Sequence, residues 1–355
     1  MEEQMNDVTI VLNSHNRPAS LKLMIESIAE AGVAFPVLVV DSSNPRARRE
    51  IQDYAAALAG KIDLRVMELP EPTSPVLKHA MAADETKTEF IQIYADDDAI
   101  LPETISERAR FLSENAEYSC CIGRQIYVAI NDNKEAEFWY EHQGTEDTFS
   151  ASDPLVRVIK LMTNWINLAY GTMRTAAVRR AYHAAFKVDP KGAFLGERLA
   201  YIHILLHGKA KLLSSPALAL SQHKGTISHE ISGDLRKTIF ASDFSTRFDA
   251  FMDAIAAELA YHEVASPWAV EDLVNQMITA HLSCWVLPGN SWRHPRKTQA
   301  LEESRTELEA FLATVMVDRQ ENADIGDVSD YQAKFEILLE RSVRPLAALA
   351  RMAPS

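Results

Sequence analysis

The sequence predicts an α/β fold: a mainly parallel sheet with helices on both faces, followed by a C-terminal helical extension. Compact apolar runs alternate with stretches of helical periodicity through the first hundred residues, the pattern of strand–helix–strand units in a parallel sheet. Three of those runs end in polar segments: Asn13-Ser14-His15-Asn16-Arg17, Asp41-Ser42-Ser43 and Asp96-Asp97-Asp98. Folds of this kind bind ligands beyond the carboxyl ends of their strands, so this convergence is the main functional clue. From about Asp234 the chain turns rich in Ala, Glu and Leu with few strand signals. The expected division is therefore residues 1–233 as the α/β domain and 234–355 as an α-helical region.

Each element has its own reason. Val8–Leu12 is an unbroken apolar run, as in a strand buried on both faces. Pro18 suits the first turn of a helix, and Leu21, Met24, Ile25 and Ile28 then share one helical face until Gly32. Pro36–Asp41 is a second buried strand, followed by a helix with Ile51, Tyr54, Ala55 and Leu58 on one side. Ile62–Met67 reads as a third strand, Pro75–Ala83 as a short helix and Glu89–Ala95 as a fourth strand. Beyond Pro102 a helix (Glu103–Asn115) leads to strands at Tyr118–Ile130 and Phe138–His142 and a loop at Gln143–Ser150. Then come a helix at Pro154–Met162, a strand at Ala169–Arg174 and a helix through Phe186. Gly196–His207 has helical character and Lys211–Leu213 is strand-like.

Composition narrows the function. A chain of 355 residues has room for about two domains. With 47% apolar and 24% charged residues, it is not an intrinsically disordered protein. Lys plus Arg number 36 against 50 Asp plus Glu, a formal charge of -14, which argues against a nucleic-acid binder. Cys120, Cys121 and Cys284 have no CxxC spacing, so neither a disulfide framework nor a cysteine-based zinc site follows. The acidic N-terminus does not read as a signal peptide, and no run reaches the ~20 apolar residues of a membrane span. The expected location is cytoplasmic, with peripheral contact to the inner face of a membrane left open.

Adjacent carboxylates such as Asp96-Asp97-Asp98 repel and need a cation or hydrogen-bond donors. A divalent ion on hard oxygen ligands meets that need and can also grip a diphosphate. A solvated acidic loop or a helix cap before Pro102 is the alternative. No GxGxxG follows the first strand and no GxxxxGK[ST] occurs, so phosphate charge must be met by a metal plus Arg or Lys. Among the 11 histidines no HExxH or other paired ligand spacing stands out.

The segments VTIVLNSHNRPASLKLMIESI, FPVLVVDSSN and EFIQIYADDDAILP, in this order, resemble family 2 type glycosyltransferases with a GT-A fold, and within them a bacterial subgroup with a DDD form of the DxD motif. The resemblance covers Asp7–Pro102 well and weakens towards Ile231. It implies a Rossmann-like sheet and inverting transfer of a sugar from a nucleotide diphosphate sugar, a UDP-sugar foremost. The acceptor would be a glycan or lipid-linked glycan, in bacterial surface polysaccharide or related synthesis. It places Ser14, Asn16 and Arg17 in the nucleotide pocket, with Asn13 and His15 departing from the usual Pro and Tyr. Asp41 stands where the family's acid meets base or ribose; Asp96 is the first DxD acid and Asp98 the metal ligand for Mn2+ or Mg2+. A register using Asp97 is the alternative, and Asp97 counts among the nucleotide-sugar residues, as does Lys78. Glu197 matches the catalytic base, with Arg198 in place of a second acid. His223 matches a metal- or diphosphate-binding histidine, with His229 and Lys224 as competitors.

Other features stay open. Trp165 and Tyr170 could stack on a sugar or lie in the core, and Arg174 and Arg179 could meet an acceptor phosphate or solvent. Met277, His281 and Trp285–Lys297 could form a membrane-surface contact, a homodimer interface or ordinary helix packing. A sugar nucleotidyltransferase also uses such a sheet and an acid pair, but NSHNRP lacks the glycines of its triphosphate loop. A non-catalytic GT-A-like module is the third reading.

Overall fold

The computed structural model describes residues 7–130, 136–140, 149–163, 165–190, 194–222, 242–262, 290–291 and 294–295. In chain order its first half runs β1 (Val8–Ser14), α1 (Pro18–Glu30), β2 (Val37–Asp41), α2 (Pro45–Ala57), β3 (Leu64–Glu68), α3 (Pro75–Glu85), β4 (Phe90–Ala95) and β5 (Ala99–Ile100). Then follow α4 (Ile105–Glu114), β6 (Tyr118–Ile130), β7 (Ala136–Tyr140), α5 (Pro154–Thr163), β8 (Thr172–Arg174), α6 (Thr175–Val188), α7 (Phe194–His207), β9 (Lys209–Gln222) and α8 (Phe244–Tyr261). Two-residue strands β10 (Asn290–Ser291) and β11 (His294–Pro295) pair with each other.

The main sheet has the order β3-β2-β1-β4-β8-β6-β9-β5, with β7 on β6. The strands β3, β2, β1 and β4 are parallel, each joined to the next by a crossover helix, as the alternating pattern requires. Beyond β4 the sheet changes character. β8 runs antiparallel to both β4 and β6, and β5 and β7 are antiparallel additions, while β6 and β9 are parallel. The sheet is therefore mixed rather than mainly parallel.

Two local readings change. Residues 168–170, expected to open a strand, form a 3-10 turn instead, capped by Asn167, whose side chain accepts from the Ala169 N–H. β9 is 14 residues long where only Lys211–Leu213 read as strand. Ser214-Ser215-Pro216 looks like a break, yet Pro216 lies opposite Arg124 at a shift in the β6–β9 register. Such irregularities tolerate proline because the ladder bond is already lost there.

The central strands are buried on both faces. Val11, Leu38, Val40, Ile91 and Ile93 face a core shared with α3, α6, α7 and α8. Ile10, Leu12, Val37, Val39 and Phe90 face α1, α2 and α4. Phe251, Ile255 and Leu259 of α8 belong to the first of these cores. Their spacing gives α8 one apolar face. Of the predicted 234–355 region, α8 and the β10–β11 pair are the described parts; Met277, His281 and Trp285 lie outside the described residues. Among the described residues, no helix is long and apolar enough to cross a membrane.

Candidate active site

Strand order brings the three polar strand ends together. Ser14 stands opposite Asp41 in the β1–β2 ladder, and Asn13 opposite Ala95 in the β1–β4 ladder. The chain leaves β1 through Asn16, whose φ of 57° lies in the left-handed region, one that Asn tolerates better than most residues. That turn aims the Asn16 N–H at Ser43 Oγ (2.7 Å), while its side-chain Oδ1 accepts from the Asn44 N–H (2.8 Å). His15 Nδ1 lies 2.9 Å from the Ser42 carbonyl oxygen. Asp41 Oδ1 accepts from the N–H (3.0 Å) and hydroxyl of Ser43, and Oδ2 lies 3.6 Å from Arg48 Nε. One oxygen of Asp41 thus fastens the turn at Ser43. The other makes no hydrogen bond.

The acid triplet is almost wholly buried: Asp96, Asp97 and Asp98 are 1%, 5% and 5% exposed. Three buried carboxylates need compensation. Arg17 supplies part, paired with Asp96 Oδ1 at 2.9 Å and with Asp97. Burial opposes its charge, but the three aspartates together hold the guanidinium protonated. Ser14 Oγ donates to Asp96 Oδ2 at 2.8 Å, and Tyr170 hydrogen-bonds Asp98. Burial nevertheless pushes Asp96 up to about 7, against the opposing pull of Arg17. The donor set of the cluster is all hard carboxylate oxygen, which fits a divalent cation.

Lys78 on α3 is 4% exposed and donates from Nζ to the Ser14 carbonyl oxygen at 2.7 Å. Burial lowers its pKa from 10.5 to about 8, with Asp96 and Asp41 pulling the other way. The unfolded chain binds this proton more tightly, so Lys78 costs stability below pH ~8, and that cost fades as pH rises towards 10.5. We expect Lys78→Met to melt a few degrees higher than wild type at pH 7, the gap narrowing by pH 10 in a pH series of thermal melts. A constant gap would mean the charge is not the cause.

Glu197 stands in the first turn of α7, which is brought against α3 by Gly196. A Cβ at 196 would lie 2.8 Å from Val76 Cγ2, well inside van der Waals contact. The Gly196 N–H donates to Asp189 Oδ2 (3.2 Å), and Arg247 of α8 pairs with Asp189 Oδ1 at 2.8 Å. Tyr201 donates to Glu197 Oε1 at 3.0 Å and also bonds Asn167. Burial raises the Glu197 pKa, with Arg198 and the Tyr201 bond opposing. Tyr170 lies within electrostatic reach of both Asp98 and Glu197.

The structure thus gathers Ser14, Asn16, Arg17, Asp41, Lys78, Asp96, Asp97 and Asp98 around the ends of β1, β2 and β4, with Glu197 within electrostatic reach of Tyr170. His223, and with it Lys224 and His229, lies outside the described residues. Arg198 is not directed at the cluster: it donates to the Phe194 carbonyl and covers the rings of Phe194 (3.6 Å) and Trp165 (4.5 Å). Trp165 stacks on Tyr201 at 5.2 Å. Arg174 is bound to Glu89 and to the carbonyls of Tyr118 and Leu112, and Arg179 to Asp84 and the Ala83 carbonyl. Those two arginines hold the fold together, and an acceptor-phosphate role has no support. Sequence reasoning missed Arg48 and Tyr201, which have no motif of their own, and gave Ser43 no role beyond its place in a polar strand end.

Comparison with known proteins supplies the class. Residues 9–180, a little under half of the chain, match the family model described as glycosyl transferase family 2. The fold is that of GT-A glycosyltransferases, and part of the chain is similar to glycosyl transferase family 2. Among solved structures, Staphylococcus aureus TarS 1-349 in complex with UDP-GlcNAc aligns with a TM-score of 0.52 at 16% identity, covering 96% of this chain and 89% of that one. The same fragment in complex with UDP gives 0.51 at 14% identity, with the same coverage. S. aureus TarS itself gives 0.51 at 14% identity, covering 96% of this chain; this chain spans 54% of its length. At these identities the likeness is one of fold. No curated protein sequence matches.

Proposed function

We propose that this protein transfers a sugar from a nucleotide diphosphate sugar, a UDP-sugar foremost, to a hydroxyl of a glycan or lipid-linked glycan acceptor, with inversion. The observation that carries this reading is the buried acid triplet, flanked by Arg17 and Lys78, with Tyr170 hydrogen-bonded to Asp98 and within electrostatic reach of Glu197. The UDP preference is supported by the TarS structures with UDP-GlcNAc and UDP, which share the fold.

In this reading Asp41, through its uncommitted oxygen, and Asp96 position the nucleoside. Ser14, Asn16 and Arg17 line the pocket with Asp97, and Lys78 faces the phosphates. Asp98, with His223 as a second ligand, would hold Mn2+ or Mg2+, which when bound offsets the negative charge of the leaving diphosphate. Glu197 accepts the proton of the acceptor hydroxyl; its raised pKa suits a base near neutral pH. The hydroxyl oxygen forms the new bond to the anomeric carbon as the bond to the diphosphate oxygen breaks. Nucleoside diphosphate departs. We place the enzyme in bacterial surface polysaccharide or related glycan synthesis, in the cytoplasm at or near the inner membrane face. Residues 234–355 are proposed as a helical region for membrane contact or dimerisation.

The test is thermal shift of the full-length chain with UDP and UDP-GlcNAc, with and without Mn2+, followed by an assay of UDP release. Metal-dependent stabilisation and slow donor hydrolysis are expected. Pyrophosphate release from a nucleoside triphosphate and a sugar phosphate would identify a nucleotidyltransferase instead. No binding of any nucleotide would overturn both.

A further inference from the structure

A second cluster of metal-ligating side chains lies away from the acid triplet, where α7 crosses α8. His203 and His207 stand one turn apart on α7, a spacing that puts both rings on one side. Glu258 of α8 faces them. The His203 and His207 ring nitrogens and a Glu258 carboxylate oxygen all lie within 4.8 Å of one another. His207 Nε2 is 3.0 Å from Glu258 Oε2, and His203 Nδ1 is 3.7 Å from Glu258 Oε1. His262, one turn beyond Glu258, packs its ring edge-on against His207 at 4.7 Å.

A simple ion pair accounts for His207 and Glu258 but not for the rest. His203 is 5% exposed, and its Nδ1, aimed at Glu258, has no hydrogen-bond partner; nor has Nε2 of His262. A buried polar atom left unmade is costly. Arg157 and Arg180 lie within electrostatic reach and oppose a cation. The Arg157 guanidinium, however, is spent on the carbonyls of Ala151, Ser152, Leu205 and Leu206.

We propose that His203, His207 and Glu258 form a zinc site that clamps α8 to α7. Two imidazoles with one carboxylate suit zinc, whereas Mg2+ and Ca2+ take oxygen ligands. Zn–N and Zn–O bonds of about 2.0–2.2 Å require the ligands to draw together by about an ångström. His207 and Glu258 are only partly buried, which gives them room to move and gives an ion a way in.

The test is zinc binding by the untagged full-length chain after chelator treatment, read by competition with a chromophoric chelator and by thermal melting. One equivalent bound below about micromolar Kd, with a rise of several degrees in Tm, is expected. His203→Gln and His207→Gln, each with an unchanged far-UV spectrum, should weaken it about a hundredfold or more, while Asp98→Asn should retain it. Failure to bind zinc, undiminished binding in the double glutamine variant, or loss in Asp98→Asn would each overturn the proposal.

Discussion

An Asp98→Asn protein should fold and bind nucleoside normally yet transfer sugar roughly 10²–10³-fold more slowly, the usual cost of losing one transition-state charge stabiliser. Asparagine keeps the shape of the side chain and an oxygen for Tyr170 to meet, but removes the negative charge. The effect should fall on kcat, because charge builds on the leaving diphosphate only as its bond to the sugar breaks. Raising Mn2+ should recover part of the loss. The variant should melt at or slightly above the wild-type temperature, since one of three buried like charges is gone. An Asp98→Asn enzyme with wild-type kcat at ordinary metal concentration would remove Asp98 from the reaction.

Glu197→Gln should lower kcat by about 10²–10⁴-fold, the range of general-base catalysis, with little change in donor affinity. Glutamine can still accept the Tyr201 hydrogen bond, so position is kept and basicity lost. The pH profile adds a separate check. A base works deprotonated, so the wild-type rate should rise with pH through the Glu197 pKa, which burial places above the ordinary carboxylate range. Tyr201 stabilises the charged form, and Tyr201→Phe should therefore shift that limb to still higher pH. Glu197→Gln should abolish it. A Glu197→Gln enzyme that keeps the same rising limb would assign the base elsewhere.

The parallel half of the molecule was legible because its logic is local. Val8–Leu12 and Pro36–Asp41 are buried on both faces, and prolines at 18, 45 and 75 each open a helix. The acid triplet was legible because few other placements put polar groups at adjacent strand ends. What the sequence concealed depends on distant partners. β9 continues through Ser-Ser-Pro only because β6 shifts register opposite it. Arg17 reads as a pocket residue, and only the β1–β4 pairing reveals it as the counter-charge to Asp96 and Asp97. The i, i+4 spacing of His203 and His207 does not stand out among the histidines because its third ligand, Glu258, is 51 residues further along than His207.

Gly196 has a consequence beyond packing. Its missing methyl group lets α7 rest on Val76, two residues before Lys78 in the first turn of α3. The group proposed to take the proton and the group proposed to face the phosphates therefore stand beside a contact between two helices, not on a loop. Displacing reacting groups by about an ångström can cost about a hundredfold in rate. Enlarging position 196 would lengthen the span that the donor sugar and acceptor together must bridge. The molecule's tolerance for substrates of different size is thus written at a residue that touches neither.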